Sequence, residues 1–466
     1  MFRQPIAAIA ALIVFTTSPG FTDTAAPGER SAQYVAFPKG YDMPAGFDYS
    51  DGKNPSDADW AAGEARLLEF LEKRNFPELR KHAWQIFAGM TSPTEGGYAV
   101  WESWFTADEV YAGPAKAPAA TLSDRRAGIH GARQFGFGLT GAPEPNPGES
   151  VAANVMFNMP VRDHVWTNAL FKPGTLKEIN DGFNANNTPL LDRSIPQFPR
   201  DAIALKTIWS VVASEGLTIL PVWDGELDQP EVKVSPPYPA DVWPRCVAVT
   251  PDPEIKETTH PVTCNRQPVD AQVIGLDSFY HFRITEAELD AVNKALGPNH
   301  KDGTPETIKV GDYAILLGMH FTTREIPNWV WATAWWHDRP DQPPFGADRP
   351  DNVIGVWRNY MMNSGYSRDV PLAVDGGPAT VWNPYIEGKY PNGMRSNCMS
   401  CHVRAVYPRL DPVIEGFDMC GALPVLRGEG SLPLDSPALG SRTRLEFLWS
   451  ILLDTRAEHE DMCGDS

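Results

Sequence analysis

The sequence predicts an α+β fold, with a β-leaning mixed body, long loops and a helical segment near the C-terminus. Glycine and proline, 38 and 44 of 466 residues, make up about 18% of the chain against about 12% in average usage, which favours loops over a helical bundle. The region 194–337 contains several runs of β-branched and aromatic residues, which are typical of strands. Helical spacing of apolar residues occurs in only a few short segments. We therefore expect strands to dominate the body.

The chain is long enough for two to four domains, at about 100–200 residues per domain. Apolar residues make up 42% and charged residues 21% of it, so it can bury a sizeable core. We divide it into a leader (1–26), a helical and loop-rich N-terminal region (27–193), a strand-rich region (194–352) and a C-terminal region (353–466).

The leader has the pattern of a secretory signal peptide. Arg3 precedes the uncharged apolar run Ile6–Phe15, and small residues follow. A membrane anchor would need about 20 apolar residues, and this run is too short. We therefore expect export with cleavage, no membrane span, and an environment where disulfides persist.

Four helices are predicted from spacing and capping signals. The first covers Asp57–Arg74 and the second runs from Pro77 toward Phe87. Thr285 and Glu288 are spaced as a capping box, which predicts a helix start there. A further helix is expected around Ile354–Met362.

The predicted strands alternate or mix branched and aromatic residues and are bounded by turn residues. They are Ala202–Val212, Leu217–Trp223, Ser278–Ile284, Tyr313–Thr323 and Trp329–His337.

The formal net charge is −19, from 40 Lys and Arg against 59 Asp and Glu. A surface this acidic repels phosphate backbones. Nucleic acid is therefore excluded as an expected partner.

One motif in the sequence indicates a specific chemical function. Cys398-Met-Ser-Cys401-His402 is a C-x-x-C-H sequence, the attachment signature of c-type haem. On one turn of helix both thiols reach the porphyrin vinyl groups and the imidazole reaches the iron. A thioredoxin-type dithiol would need a strand-to-helix context, and a zinc site would need a second Cys or His pair nearby. We expect one covalently attached haem c, so the C-terminal helical segment is a haem-c attachment segment with His402 as an iron ligand.

The other four cysteines form an even set in an oxidising compartment. We expect disulfides 246–264 and 420–463, each worth about 3–4 kcal/mol on the chain-entropy model. The remaining pairings of Cys246, Cys264, Cys420 and Cys463 stay open at this point.

The sixth iron ligand is expected from the body upstream of the motif. His320 is the first candidate because it lies in the predicted strand Tyr313–Thr323. The alternatives are an open or water-filled position, or one of four other side chains: His337, Met361, Met362 and Met394.

The pairing of this strand with the next one decides what surrounds His320. If Thr323 pairs with Trp329, His320 lies opposite Ala332, in a trough of small residues that could accept a porphyrin. A shift of one residue places Trp331 and Trp335 on this face instead.

The chain resembles a family of exported, single-haem c-type cytochrome proteins of bacteria. The resemblance covers about residues 194–403 and rests on Phe198-Pro199, Ile203–Trp209, Leu317–Phe321, Trp329–Thr333, Asn383–Tyr385 and Ser396–His402. In the family, an aromatic, an acid and a histidine follow the Trp-Ala-Thr segment. In this chain His337 is shifted by one place, which favours His320.

The resemblance and the motif together imply a periplasmic mono-haem c-type cytochrome that binds haem and transfers electrons. Its expected partner is a redox protein or a small-molecule electron donor or acceptor. The alternative is a haem c oxidoreductase with an open iron site, because a simple carrier needs far fewer residues than the 397 that precede Cys398.

Overall fold

The computed structural model describes residues 31–131, 152–225, 238–296, 307–366, 380–389, 393–409 and 433–454. The fold is mixed α+β with more sheet than helix, and its sheets are open. This confirms the predicted fold class. Among the helices of these described ranges, none is long and apolar enough to cross a membrane.

Helices and strands are interspersed along the chain. The α-helices are α1 (Asp57–Glu72), α2 (Phe76–Thr91), α3 (Ala107–Tyr111), α4 (Leu122–Arg126), α5 (Met159–Thr167), α6 (Pro173–Ala185), α7 (Glu286–Leu296), α8 (Cys398–His402) and α9 (Trp449–Asp454). The strands are β1 (Phe105–Thr106), β2 (His130–Gly131), β3 (Ala152–Phe157), β4 (Ile203–Val212), β5 (Thr218–Pro221), β6 (Cys246–Thr250), β7 (Thr259–Cys264), β8 (Gln267–Gly275), β9 (His281–Arg283), β10 (Tyr313–Thr323), β11 (Val330–Trp336), β12 (Tyr360–Tyr366), β13 (Val406–Tyr407) and β14 (Thr443–Arg444).

The main sheet has eight strands, in the order β1-β3-β4-β10-β11-β12, with β2 beside β3 and β9 beside β10. All its pairs are antiparallel. Every residue of β4 and β11 is buried, as expected for strands covered on both faces. The sheet takes strands from all three regions into which we divided the sequence after the leader.

The two faces of the main sheet have different covers. Helix α2 covers one face, where the Phe87 ring lies 6.1 Å from that of Phe321. The C-terminal segments cover the other face, which we call the His320 face after its central side chain. There Trp331 clusters with Met399 and Val403. Both faces of the sheet are therefore covered by buried apolar side chains.

The second sheet has four strands in the order β5-β6-β8-β7. The disulfide Cys246–Cys264 joins β6 to the end of β7, which confirms one of the two expected bridges. Cys420 and Cys463 lie outside the described residues, as does the leader. The two cysteines lie in β6 and β7, which are separated by the loop 251–258.

The helix start predicted at Thr285 is confirmed, with the Glu288 half of the capping box present. The backbone N–H of Thr285 donates to the Glu288 carboxylate at 2.9 Å, and the Thr285 hydroxyl accepts from the N–H of Ala287. The Glu288 carboxylate also accepts from the hydroxyl of Ser123 at 2.7 Å. The cap thus stabilises the helix start and joins α7 to α4.

The prediction of a helix around Ile354–Met362 is wrong. A short 3₁₀ helix covers Gly355–Asn359, and the chain then enters β12 and pairs with β11. Gly355 has a φ of +59°, a left-handed conformation that no α-helix contains. Tertiary pairing of this segment with the sheet outweighs its local helical pattern.

The register between β10 and β11 with Thr323 opposite Trp329 is also wrong, by one residue, because Thr323 pairs with Val330. His320 pairs with Thr333, and Gly318 pairs with Trp335. Directly paired residues share a face, so Trp331 and Trp335 lie on the His320 face. This is the shifted register that the sequence left open.

Candidate functional site

Helix α8 contains the whole C-x-x-C-H motif as a single turn. Met399 and Val403 point into the core and are 1% and 2% exposed, so they fix the helix on its inner side. Cys398 and Cys401 are half-buried free thiols, and three residues apart they lie on one face. Burial raises the pKa of the Cys401 thiol to about 12, so this thiol is protonated at neutral pH.

The His402 imidazole is held in one tautomer. Its Nδ1 lies 2.6 Å from the carbonyl oxygen of Phe447, and because a carbonyl can only accept, Nδ1 carries the proton. Burial, despite this hydrogen bond, lowers the pKa of His402 to about 4. The ring is therefore neutral at neutral pH, with its lone pair on Nε2, the form that ligates a metal.

The segment after β14 holds α8 at a second point. The indole N–H of Trp449 donates to the carbonyl of Cys401 at 3.2 Å. The backbone N–H of Leu445 donates to the carbonyl of Ala405 at 2.9 Å. Together with the Phe447 carbonyl, these contacts fix both the helix and the ring that it carries.

The opposing wall of the site is the His320 face. The His402 ring packs against Trp331, with ring centroids 4.4 Å apart. His320 lies at the centre of the face, with Thr333 directly opposite it on β11 and Lys206 directly opposite it on β4. The structure therefore brings His320 to the same side of the sheet as the motif, although 78 residues separate it from Cys398.

Burial at the site, where the His320 and Glu387 side chains are each 21% exposed, shifts the pKa of this imidazole and this carboxyl. Burial lowers the pKa of His320 to about 3, with smaller effects of the Lys206 and His402 charges in the same direction. Burial raises the pKa of Glu387 to about 7, against the opposing effect of Asn383. The Glu387 Oε1 lies 3.6 Å from the His320 Nε2. His320 is thus neutral and its carboxyl neighbour titrates near neutral pH.

A loop before α8 fastens the attachment segment to the sheet. The buried amide of Asn383 donates to the Thr333 hydroxyl at 2.9 Å, and its backbone N–H donates to the Glu387 Oε2 at 2.6 Å. Gly318 permits this approach because an added Cβ would lie 3.0 Å from the Asn383 amide nitrogen. Gly365 permits it at Val381 in the same way, with 2.8 Å to a methyl group.

Two of the four alternative sixth ligands, His337 and Met362, are less favourably placed than His320. His337 has both ring nitrogens engaged, since Nε2 lies 3.0 Å from the Trp223 carbonyl and Nδ1 accepts from the Arg339 N–H at 2.9 Å. Met362 lies on the face opposite to His320. Met361 shares the His320 face, and Met394 is buried in the core cluster that also contains Met361.

Three contributors to the site were not predicted. Lys206 had a visible signal, because it is the only charged residue in the apolar strand β4, where a cation costs free energy unless a nearby group compensates it. Glu387 and the Phe447 carbonyl had no signal in the sequence, since neither belongs to a motif.

The donor groups of the site fit the requirements of a haem. Two indole N–H groups, those of Trp329 and Trp335, are buried and have no hydrogen-bond partner within the described residues. With two free thiols, a fixed imidazole and the buried Lys206 ammonium, the donor set suits an anionic, apolar ring with an iron centre. No group of three or more His, Cys, Asp or Glu that could hold a bare metal ion occurs in the described ranges.

No family model, curated protein or solved structure matches this chain.

Proposed function

We propose that this protein is an exported mono-haem c-type cytochrome that transfers electrons. The observation that carries the proposal is the arrangement of α8, where two free thiols on one face adjoin an imidazole whose Nε2 is available. Cys398 and Cys401 form the thioether links, and His402 is the proximal ligand. When bound, haem c supplies one-electron exchange between ferric and ferrous iron.

His320 is the proposed sixth ligand. It is neutral, it lies on the sheet face that the motif covers, and its main rival His337 already has two partners. Two strong axial ligands leave little reorganisation on electron transfer, which suits a carrier. The periplasm is the proposed compartment, and a redox protein or small redox molecule the proposed partner.

Covalent attachment is tested by acid solvent extraction of the denatured protein. We expect the haem to stay with the polypeptide, and to be lost from the Cys398→Ala, Cys401→Ala variant. Extraction of the haem from the unmodified protein would refute covalent binding.

The sixth ligand is tested by optical and paramagnetic spectra. We expect a low-spin iron that ignores carbon monoxide, and a high-spin iron that binds it in His320→Ala. His281→Ala is the matched control, because His281 is a half-buried histidine on the neighbouring strand β9. An unchanged low-spin spectrum in His320→Ala would refute the assignment.

A haem c oxidoreductase with an open iron site is the second candidate. The observation that favours it is the carboxyl of Glu387 beside His320, because a group with a pKa of about 7 can exchange protons at neutral pH. In that case His320 and Glu387 act on a small substrate rather than on the iron. A high-spin iron that binds carbon monoxide in the unmodified protein supports this function over the carrier.

A further inference from the structure

Two consecutive residues next to the His402 hydrogen bond have an unusual backbone. Glu446 has a φ of +49° and Phe447 a φ of +67°. Side chains other than glycine rarely adopt this left-handed region, and such strain persists only where the surroundings impose it. The carbonyl that accepts from His402 Nδ1 belongs to the second of them. The strain therefore lies where the imidazole is held.

A buried ion pair holds this strained turn. The Arg324 Nε donates to the Glu446 Oε2 at 3.1 Å, and the two side chains are only 5% and 9% exposed. The Ser194 hydroxyl donates to the other Glu446 oxygen at 3.5 Å. Arg324 directly follows β10, the strand that carries His320. The ion pair thus joins the end of β10 to Glu446, the residue before Phe447.

We infer that Arg324 and Glu446 are positioning residues that set the reduction potential through the Phe447 carbonyl. This inference rests on the proposed function. The pair keeps the turn in its left-handed form, and this form directs the carbonyl at His402 Nδ1. A hydrogen bond at Nδ1 makes the imidazole a stronger donor to its metal. The stronger donor favours the ferric state, and so the pair lowers the potential.

The test is the midpoint potential of the full-length holoprotein with Glu446→Gln, which keeps the side-chain shape and removes its charge. We expect a more positive potential, with a change of about tenfold in the ferric-to-ferrous ratio at a given applied potential, or about 59 mV for one electron. The exchange of the His402 Nδ1 proton, followed by nitrogen-15 NMR of the ferrous state, is expected to accelerate by a similar factor. Arg324→Lys, which keeps the charge, should shift both quantities less.

The matched control is Glu102→Gln. Glu102 forms a similarly buried pair with Arg126, at 2.8 Å with 3% and 9% exposure, near Trp209 on the sheet face opposite to His320. Its loss should weaken the fold without moving the potential.

The outcomes separate the inference from the proposed function. An unmodified protein without covalent haem overturns both. Covalent haem with an unchanged potential and exchange rate in Glu446→Gln overturns the inference alone. If Glu446→Gln does not fold, Arg324→Gln, which removes the other charge of the pair, decides: an unchanged potential and exchange rate overturn the inference, and a positive shift with faster exchange supports it.

Discussion

The amide of Asn383 is expected to be the main fastening between the attachment segment and the main sheet. The side chain is fully buried and takes part in three hydrogen bonds. Its Nδ2 donates to the Thr333 hydroxyl at 2.9 Å and to the Ala334 carbonyl at 3.3 Å. Its Oδ1 accepts from the N–H of Tyr385 at 3.0 Å. The perturbation that removes all three is Asn383→Ala.

The expected cost follows from these three bonds. A buried hydrogen bond contributes about 0.5–1.5 kcal/mol net, and a donor left without a partner costs about 1–3 kcal/mol. The loss of three bonds, with the Tyr385 N–H left unpaired, should lower the free energy of unfolding by about 3–4 kcal/mol. Thr333→Val removes only one acceptor and should cost about 1 kcal/mol.

The assay is guanidinium unfolding followed by tryptophan fluorescence and by far-ultraviolet circular dichroism, whose transitions must coincide. The two variants and their combination form a double-mutant cycle. We expect a coupling energy of about 1 kcal/mol between Asn383 and Thr333. Additivity within about 0.5 kcal/mol, or a cost of Asn383→Ala below about 1 kcal/mol, would refute the reasoning.

Three further variants probe other parts of the molecule. Burial lowers the pKa of His82, but the Glu325 carboxylate, 3.2 Å away, outweighs it and raises the pKa above 6.5. The charged ring therefore stabilises the fold at low pH, and this stabilisation is lost as the pH rises through the raised pKa, so His82→Gln should flatten the pH dependence of unfolding. Replacement of Cys246 and Cys264 by serine opens a loop with a sequence separation of 18 and should cost about 3 kcal/mol in denaturant unfolding. In Gly393→Ala the new Cβ would lie 1.6 Å from a backbone carbonyl oxygen, so we expect a smaller fraction of the protein to carry covalent haem.

Each of these has a contradicting result. An unchanged pH profile in His82→Gln would mean that the pKa of His82 is the same in the folded and the unfolded state. If a reducing agent lowers the stability of the serine variant as much as that of the unmodified protein, the 246–264 bridge is not the source of the difference. Full haem loading of Gly393→Ala would show that the turn before α8 can move without loss.

Local patterns predicted the parts of the structure that depend on neighbours in sequence. The cap at Thr285 and the strand Tyr313–Thr323 follow from spacing, and the structure has both. The C-x-x-C-H motif predicted a helical turn, and α8 is that turn. For the cap and the motif, the interacting groups lie within about four residues of one another, and for the strand the signal is its local content of β-branched and aromatic residues.

The register of β11 could not be chosen from the sequence. All seven of its residues are buried, so alternation between a polar and an apolar face, which normally specifies register, is missing. The choice depends on the cover of each face. Trp331 packs against His402 on one side, and the other side meets the core beneath α2.

The polar half of the site was beyond sequence analysis for a different reason. Glu387 owes its raised pKa to burial, and burial at that position depends on the loop that Asn383 fastens to the sheet. The Phe447 carbonyl is a backbone group, so its role depends on the path of the chain and not on a residue type. Only Lys206 stood out, as a single cation in an apolar strand.

The contact between β14 and the segment before β4 has a consequence for the order of assembly. The N–H of Ile195 donates to the carbonyl of Arg444, and the N–H of Arg444 donates to the carbonyl of Arg193, across about 250 intervening positions. Such a closure is among the slowest steps of folding, because a long loop must form before any contact rewards it. The pocket wall that holds His402 is therefore completed late, after residues 443–449 have been synthesised. Until then α8 lacks its cover, which leaves an interval in which the thiols are open to modification.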